Sequence, residues 1–125
     1  MPASKRQIAL TEPTLMILVA LWSGPSYGYE IRKWVRGFSH GRVELGNGTG
    51  YETLPRLEQL GWIREAHGGD ENGSRRERRL YELTETGRTA LCDERRRLHA
   101  LCELLASRGV PSSELDDSGP APEKP

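Results

Sequence analysis

Arginine is the residue type in this sequence whose side chain and spacing are best suited to chemistry. Fifteen of the 18 basic residues are arginine, and a planar guanidinium forms paired hydrogen bonds with phosphate groups and with guanine. Four arginines stand close together beside a glycine-rich stretch, at Arg75, Arg76, Arg78 and Arg79. This cluster predicts contacts with a nucleic-acid backbone. The alternative for such a charge run is a solvated face without a partner.

The other reactive side chains form no catalytic or metal-binding pattern. His40, His67 and His99 are far apart in the sequence, and Cys92 and Cys102 do not form a Cys-x-x-Cys motif. If both cysteines belong to one helix, their ten-residue separation places them roughly 15 Å apart, too far for a disulfide. We therefore expect reduced thiols, a cytoplasmic location, no cofactor and no enzymatic activity.

Charge is unevenly distributed along the chain. The formal net charge is zero, but residues 109–125 hold four acidic residues and one lysine, so residues 1–108 carry 17 basic against 14 acidic residues, an excess of +3. This excess suits a polyanionic partner such as DNA. The longest apolar run, Leu15 to Trp22, is far shorter than the roughly 20 residues that span a bilayer, so no membrane partner is expected.

Apolar periodicity, turn residues and capping residues predict three helices, a hairpin and a long fourth helix. The predicted helices are 10–22, 27–37, 48–60 and 85–107, and the predicted hairpin strands are 62–67 and 79–83. Gly61 should stop the third helix, and Thr84 should cap the fourth. This order predicts a mainly α fold with a two-stranded β wing, a winged helix-turn-helix followed by a C-terminal dimerisation helix.

The domain organisation follows from the same elements. We expect residues 1–7 to form a flexible N-terminus and residues 8–84 to form the winged helix-turn-helix. Residues 85–107 are predicted to form the dimerisation helix, and residues 108–125, rich in proline and acidic groups, are predicted to form a disordered tail.

Five segments carry short motifs at characteristic spacing. They are Leu10 to Leu21, Gly-Pro-Ser-Tyr-Gly-Tyr-Glu-Ile (24–31), Leu-Gly-Asn-Gly-Thr-Gly-Tyr (45–51), Arg-Leu-Glu-Gln-Leu-Gly-Trp-Ile (56–63) and Tyr-Glu-Leu-Thr-Glu-Thr-Gly-Arg (81–88). In combination, over about residues 8 to 106, the chain resembles the PadR-like transcriptional regulators, in the branch with one short C-terminal helix. The resemblance implies a homodimeric repressor that binds double-stranded operator DNA and is often released by a small-molecule inducer.

The DNA-binding residues are predicted from the resemblance together with a helical wheel of the third helix. They are Tyr29, Gly48, Thr49, Tyr51, Glu52, Arg56, Arg75, Arg76 and Arg78. The wheel buries Leu54 and Leu57 with Gly50 and Gly61, and it leaves Gly48, Glu52, Pro55 and Gln59 outward. Tyr51 and Tyr29 resemble tyrosines that contact phosphate, and a packing role is the alternative for each of them. Arg56 either contacts DNA or forms a surface ion pair with Glu52.

Pro55 departs from the family pattern, since a proline inside a helix removes one backbone hydrogen bond at a cost of up to roughly 3 kcal/mol. Gly50 also departs from it, because a larger apolar residue is common at that position in the family.

An apolar stripe close to heptad spacing on the last helix predicts dimerisation, together with the first helix, which is apolar on nearly every side. The predicted dimerisation residues are Leu15, Leu18, Leu91, Leu98, Leu101, Cys102 and Leu105. Trp22, Trp34 and Trp62 could form a surface for a small aromatic or hydrophobic inducer, although core positions are favoured for Trp34 and Trp62. The alternative function is a winged helix that binds a protein rather than DNA.

Overall fold

The computed structural model describes residues 10–45, 49–67 and 78–113, and within α3 it describes side chains from residue 53 onward. This part of the chain contains four helices and three short strands. The helices are α1 (Glu12–Ala20), α2 (Gly28–Phe38), α3 (Thr49–Leu60) and α4 (Glu85–Ser107), and the strands are β1 (Ser26–Tyr27), β2 (Ile63–Glu65) and β3 (Leu80–Leu83). The predicted fold class is confirmed. The bounds of α4 agree with the prediction at both ends.

Helix α1 begins where the sequence provides a cap. The side chain of Thr11 accepts a hydrogen bond from the backbone N–H of Thr14 at 3.3 Å, and Pro13 occupies the first turn, where a missing N–H costs nothing. Three consecutive residues, Met16, Ile17 and Leu18, are buried. Because consecutive helical residues point in different directions, α1 is covered over much of its circumference by its own domain.

The sheet has three strands in the order β1-β3-β2, and both pairings are antiparallel. In the predicted hairpin, Ile63 lies opposite Leu83 and Glu65 lies opposite Tyr81. On the other side of β3, Ser26 pairs with Tyr81. The sequence did not predict β1, which adds a third strand to the expected two-stranded wing.

The core is formed between the helices and one face of the sheet. Its buried apolar residues are Met16, Ile17, Leu18, Leu21, Ile31, Val35, Val43, Leu45, Leu54, Leu57, Ile63, Tyr81 and Leu83. Tyr81 and Leu83 alternate with less buried neighbours along β3, as expected for a strand with one buried face. Trp62 is half-buried and packs against this core, as predicted.

Helix α2 buries a narrower stripe than its sequence predicts. Ile31 and Val35 are buried, but Trp34 is 40% exposed and Phe38 is 65% exposed. Their rings stack on each other with centroids 5.2 Å apart. The predicted core position of Trp34 is therefore wrong, because Ile31 and Val35 already fill the space beneath α2.

The chain divides into two compact units, Met1–Glu94 and Arg95–Pro125. The first unit holds the sheet and the core. In the second, α4 ends at a glycine in the left-handed region, Gly109 (φ +85°), and the N–H of Val110 donates to the carbonyl of Leu105 at 3.0 Å. Among the described helices, none has the length and hydrophobicity needed to cross a bilayer.

Candidate nucleic-acid interface

Helix α3 presents a polar face opposite a buried one. Leu54 and Leu57 are each 1% exposed and anchor the helix in the core. Arg56 and Gln59 are exposed on the other side, and Pro55 is half-buried. The helical wheel is confirmed for Leu54, Leu57 and Gln59. It is wrong for Gly61, which it buries and which is exposed, because Gly61 lies just beyond the end of α3. The result is a helix whose guanidinium and amide groups are available to a partner.

Pro55 does not interrupt α3, which is continuous from Thr49 to Leu60. Position 55 has no N–H to donate to the carbonyl of residue 51. Leu54 and Leu57, on either side of the proline in sequence, are both buried. Tertiary packing therefore holds this helix in place despite the lost hydrogen bond.

Part of the predicted DNA-binding set lies outside the described residues. This is the case for Gly48, Arg75 and Arg76, and for the side chains of Thr49, Tyr51 and Glu52. The hairpin tip with its arginines and the Glu52–Arg56 ion pair therefore remain predictions. Arg78, at the start of the returning strand segment, is exposed.

Aromatic side chains gather at the N-terminal end of α2. Tyr29 is 46% exposed, and its ring stacks on that of half-buried Tyr27 with centroids 5.5 Å apart and planes 7° apart. The backbone N–H of Tyr27 donates to the carboxylate of Glu30 at 2.8 Å and closes the first turn of the helix. The stack and this cap hold the exposed Tyr29 in a defined direction.

Lys33 is a residue of this surface that the sequence analysis missed. It follows Tyr29 by four residues on α2 and is exposed, so the two side chains share one face of the helix. The four-residue spacing of Tyr29 and Lys33 in the sequence could have indicated that the two side chains lie on one face. Arg36 is also exposed on α2, but its guanidinium lies 3.1 Å from the carboxylate of Glu44.

Other arginines in the described part of the chain form ion pairs. Arg64 on β2 lies 2.7 Å from Glu82 on β3, directly across the strand pair. Arg42 lies 2.6 Å from Glu12. Such exposed pairs contribute little to stability, about 0–1 kcal/mol each. They do, however, reduce the positive charge that these arginines offer to a polyanion.

The predicted dimerisation residues of the first unit differ in how accessible they are. Leu18 is 0% exposed within its own core, so its prediction as a dimer contact is wrong: no surface is left for a partner. Leu15 and Leu91 are half-buried. Val19 on α1 is 40% exposed, and Trp22, two residues beyond the end of α1, is 45% exposed, so both leave apolar surface open.

The predicted dimerisation residues of the second unit are all exposed. Leu98, Leu101 and Leu105 are 37%, 42% and 50% exposed, and Cys102 is exposed with a free thiol. Leu104, which the prediction omitted, is 55% exposed. These residues recur at three- and four-residue intervals and leave an apolar stripe on α4 without cover in a single chain.

The described residues contain no group of three or more His, Cys, Asp or Glu side chains placed to hold a metal ion. The geometry instead combines three helices with a small antiparallel sheet. One helix, α3, carries polar groups outward, and α4 follows the sheet. This arrangement defines the class of winged helix-turn-helix proteins.

Comparison with known proteins identifies the family. The model of the transcriptional regulator PadR-like family matches residues 17–93. This match covers more than half of the chain, which therefore belongs to the PadR-like family of transcriptional regulators. That family consists of regulators and not of enzymes. A comparison with curated proteins gave no match.

Solved structures agree with this assignment. A PadR family transcription regulator from hypervirulent Clostridium difficile is 27% identical with a TM-score of 0.63, covering 78% of this chain and 97% of the other. A transcriptional regulator from Clostridium thermocellum is 28% identical with a TM-score of 0.62, covering 78% and 92%. Bacillus subtilis PadR, whose structure contains operator DNA, is 25% identical with a TM-score of 0.52, covering 64% and 44%.

Proposed function

We propose that this protein is a repressor that binds a two-fold symmetric operator in double-stranded DNA through α3, its recognition helix. The exposed face of α3, with Arg56 and Gln59 opposite buried Leu54 and Leu57, carries the proposal. A major groove admits one α-helix, and arginine and glutamine are side chains that read guanine and adenine there. The structure of Bacillus subtilis PadR with operator DNA supports DNA as the partner.

The remaining predicted residues divide by role. Tyr29 and Lys33 on α2, and the arginines of the hairpin, would contact phosphates and position the protein. Arg56 would read a base. The net positive charge of residues 1–108 supports attraction to DNA. DNA as the partner also implies action in the cytoplasm, where free thiols such as those of Cys92 and Cys102 stay reduced.

The proposed repressor acts as a homodimer. Leu98, Leu101, Leu104 and Leu105 are too exposed to stabilise a single chain, and an apolar helical stripe of this kind is typically covered by a second copy. A two-fold dimer presents two recognition helices to half-sites about one helical turn apart. The leucine stripe of α4 therefore predicts a palindromic operator.

A small aromatic or hydrophobic inducer would relieve DNA binding. Trp22 supports this part of the proposal, because its indole is 45% exposed and the guanidinium of Arg88 lies 4.7 Å from the ring centroid. An exposed indole with a guanidinium stacked over one face suits an aromatic ligand. Trp62 packs against the core and has less surface to offer.

Selection of bound sequences from random double-stranded DNA tests the function. We expect enrichment of a palindrome, and binding of the selected duplex should weaken steeply as salt rises. A matched duplex with both half-sites scrambled is the control. If no sequence is enriched and no duplex binds at low salt, DNA is not the partner.

The second candidate function is protein binding. The stacked pair of Trp34 and Phe38, 40% and 65% exposed on α2, favours it, because exposed aromatic side chains are enriched at protein interfaces. A Trp34→Ala/Phe38→Ala variant discriminates between the two functions. It should bind the selected operator with the affinity of the unmodified protein if DNA binding by α3 is the function.

A further inference from the structure

The end of the recognition helix and the beginning of α4 meet at one junction within the first unit. Helix α3 ends at Gly61, which lies in the left-handed region with φ +79°. The N–H of Gly61 donates to the carbonyl of Glu58, and the N–H of Trp62 donates to the carbonyl of Leu57, both at 3.0 Å. The backbone after α3 is therefore fixed by the helix itself.

Thr84 connects this backbone to α4. Its hydroxyl donates to the carbonyl of Gly61 and accepts from the N–H of Gly87 at 3.0 Å. Its own N–H donates to the carbonyl of Trp62 at 3.0 Å. One threonine thus caps the N-terminus of α4 and satisfies two carbonyls at the C-terminal end of the recognition helix.

Gly87 sets how closely α4 approaches this backbone. A Cβ atom at this position would overlap the carbonyl oxygen of Trp62 and would lie 3.0 Å from its carbonyl carbon and 3.1 Å from Cδ2 of Leu83. The overlapping atoms are mainly backbone atoms, which cannot rotate away as side-chain atoms can. An alanine would require a displacement of roughly 1 Å to reach a normal carbon–oxygen contact.

We propose that Thr84 and Gly87 are positioning residues that fix the recognition helix relative to α4, and so set the spacing between operator half-sites that the dimer accepts. The inference rests on the proposed function, since a spacing exists only for a dimer that binds DNA. In that dimer the subunits join through α4, and the junction sets where α4 begins relative to α3, so a shift at the junction should alter the distance between the two recognition helices. Half-site spacing is a geometric property of such dimers.

The experiment measures affinity of the full chain for the selected palindrome and for versions with one base pair added to or removed from its centre. The unmodified protein should prefer its own spacer. For Gly87→Ala, the ratio of affinities for the preferred and altered spacers should change by roughly tenfold. Gly37→Ala is the matched control, because a Cβ at that helical glycine meets nothing within 4 Å, and its ratio should not change.

A second pair of variants covers the case in which Gly87→Ala does not fold. Thr84→Ser keeps the hydroxyl and should retain the spacer preference, whereas Thr84→Val keeps the shape, loses both side-chain hydrogen bonds and should alter it. If affinity falls equally for every spacer, the junction is only structural and the inference is overturned. If the unmodified protein binds no DNA, it is the proposed function that fails.

Discussion

Replacement of Leu98 and Leu105 by glutamate should convert the proposed dimer into a monomer. The two side chains are 37% and 50% exposed in a single chain, so together they offer nearly the surface of one complete leucine. Burial of a complete leucine contributes about 1.5–3 kcal/mol. Loss of this buried leucine surface from both subunits should therefore remove about 3–5 kcal/mol of the free energy of dimerisation. The dimer dissociation constant should rise by a factor of roughly 10² to 10⁴. The added carboxylates oppose association further.

Ala100→Glu/Ser107→Glu is the matched control for this variant. It adds the same two charges at the same seven-residue spacing, but on the side of α4 opposite Leu98 and Leu105, where Ala100 and Ser107 are exposed. Sedimentation equilibrium across nanomolar to high micromolar concentration measures the dimer constant of all three proteins, and circular dichroism measures their helix content. The reasoning is refuted if the unmodified protein is a monomer at micromolar concentration, or if both variants dissociate to the same extent.

Four further predictions concern DNA binding and the tail. Arg56→Ala should cost about 1–3 kcal/mol on the selected operator and much less on unrelated DNA; equal losses in a competition assay would assign Arg56 to phosphate contact. Arg75→Ala/Arg76→Ala should weaken binding to all duplexes and lower the slope of log affinity against log salt by up to roughly 2 per subunit; an unchanged slope would contradict this. Tyr51→Phe should reduce affinity if the hydroxyl contacts a phosphate, whereas unchanged binding would indicate packing alone. Truncation after Ser113 removes a net charge of −3 and should leave the melting temperature unchanged while slightly tightening DNA binding at low salt; a drop in melting temperature would show that the tail is docked.

Elements that depend on local signals could be predicted from the sequence. Helix α4 begins after a threonine that caps it and ends before a glycine with positive φ, Gly109, and both residue types mark helix ends for reasons that need no tertiary contact. The buried face of α3 followed from the spacing of Leu54 and Leu57. These positions reflect helical periodicity alone.

Features that are decided by tertiary packing could not be predicted from the sequence. Strand β1 has two residues, too few for a periodic pattern, and it exists because β3 has a free edge. A helical wheel of α1 could not show which side of the helix the rest of the domain would cover. Leu18 was therefore predicted as a dimer contact although it lies in the core. The apolar periodicity of α2 likewise did not indicate that Ile31 and Val35 would be buried while Trp34 and Phe38 stay exposed.

Strand β1 has a consequence for how the domain assembles. Ser26 pairs with Tyr81, a contact that closes a loop of 55 residues, and this loop contains α2, α3 and β2. Chain entropy opposes such a closure until the helices inside the loop have condensed. The pairing of β1 with β3 should thus form late in folding, together with the helices. A fragment that ends before β3 would lose both strand pairings at once, so the helix-turn-helix cannot be excised from its wing as an independent module.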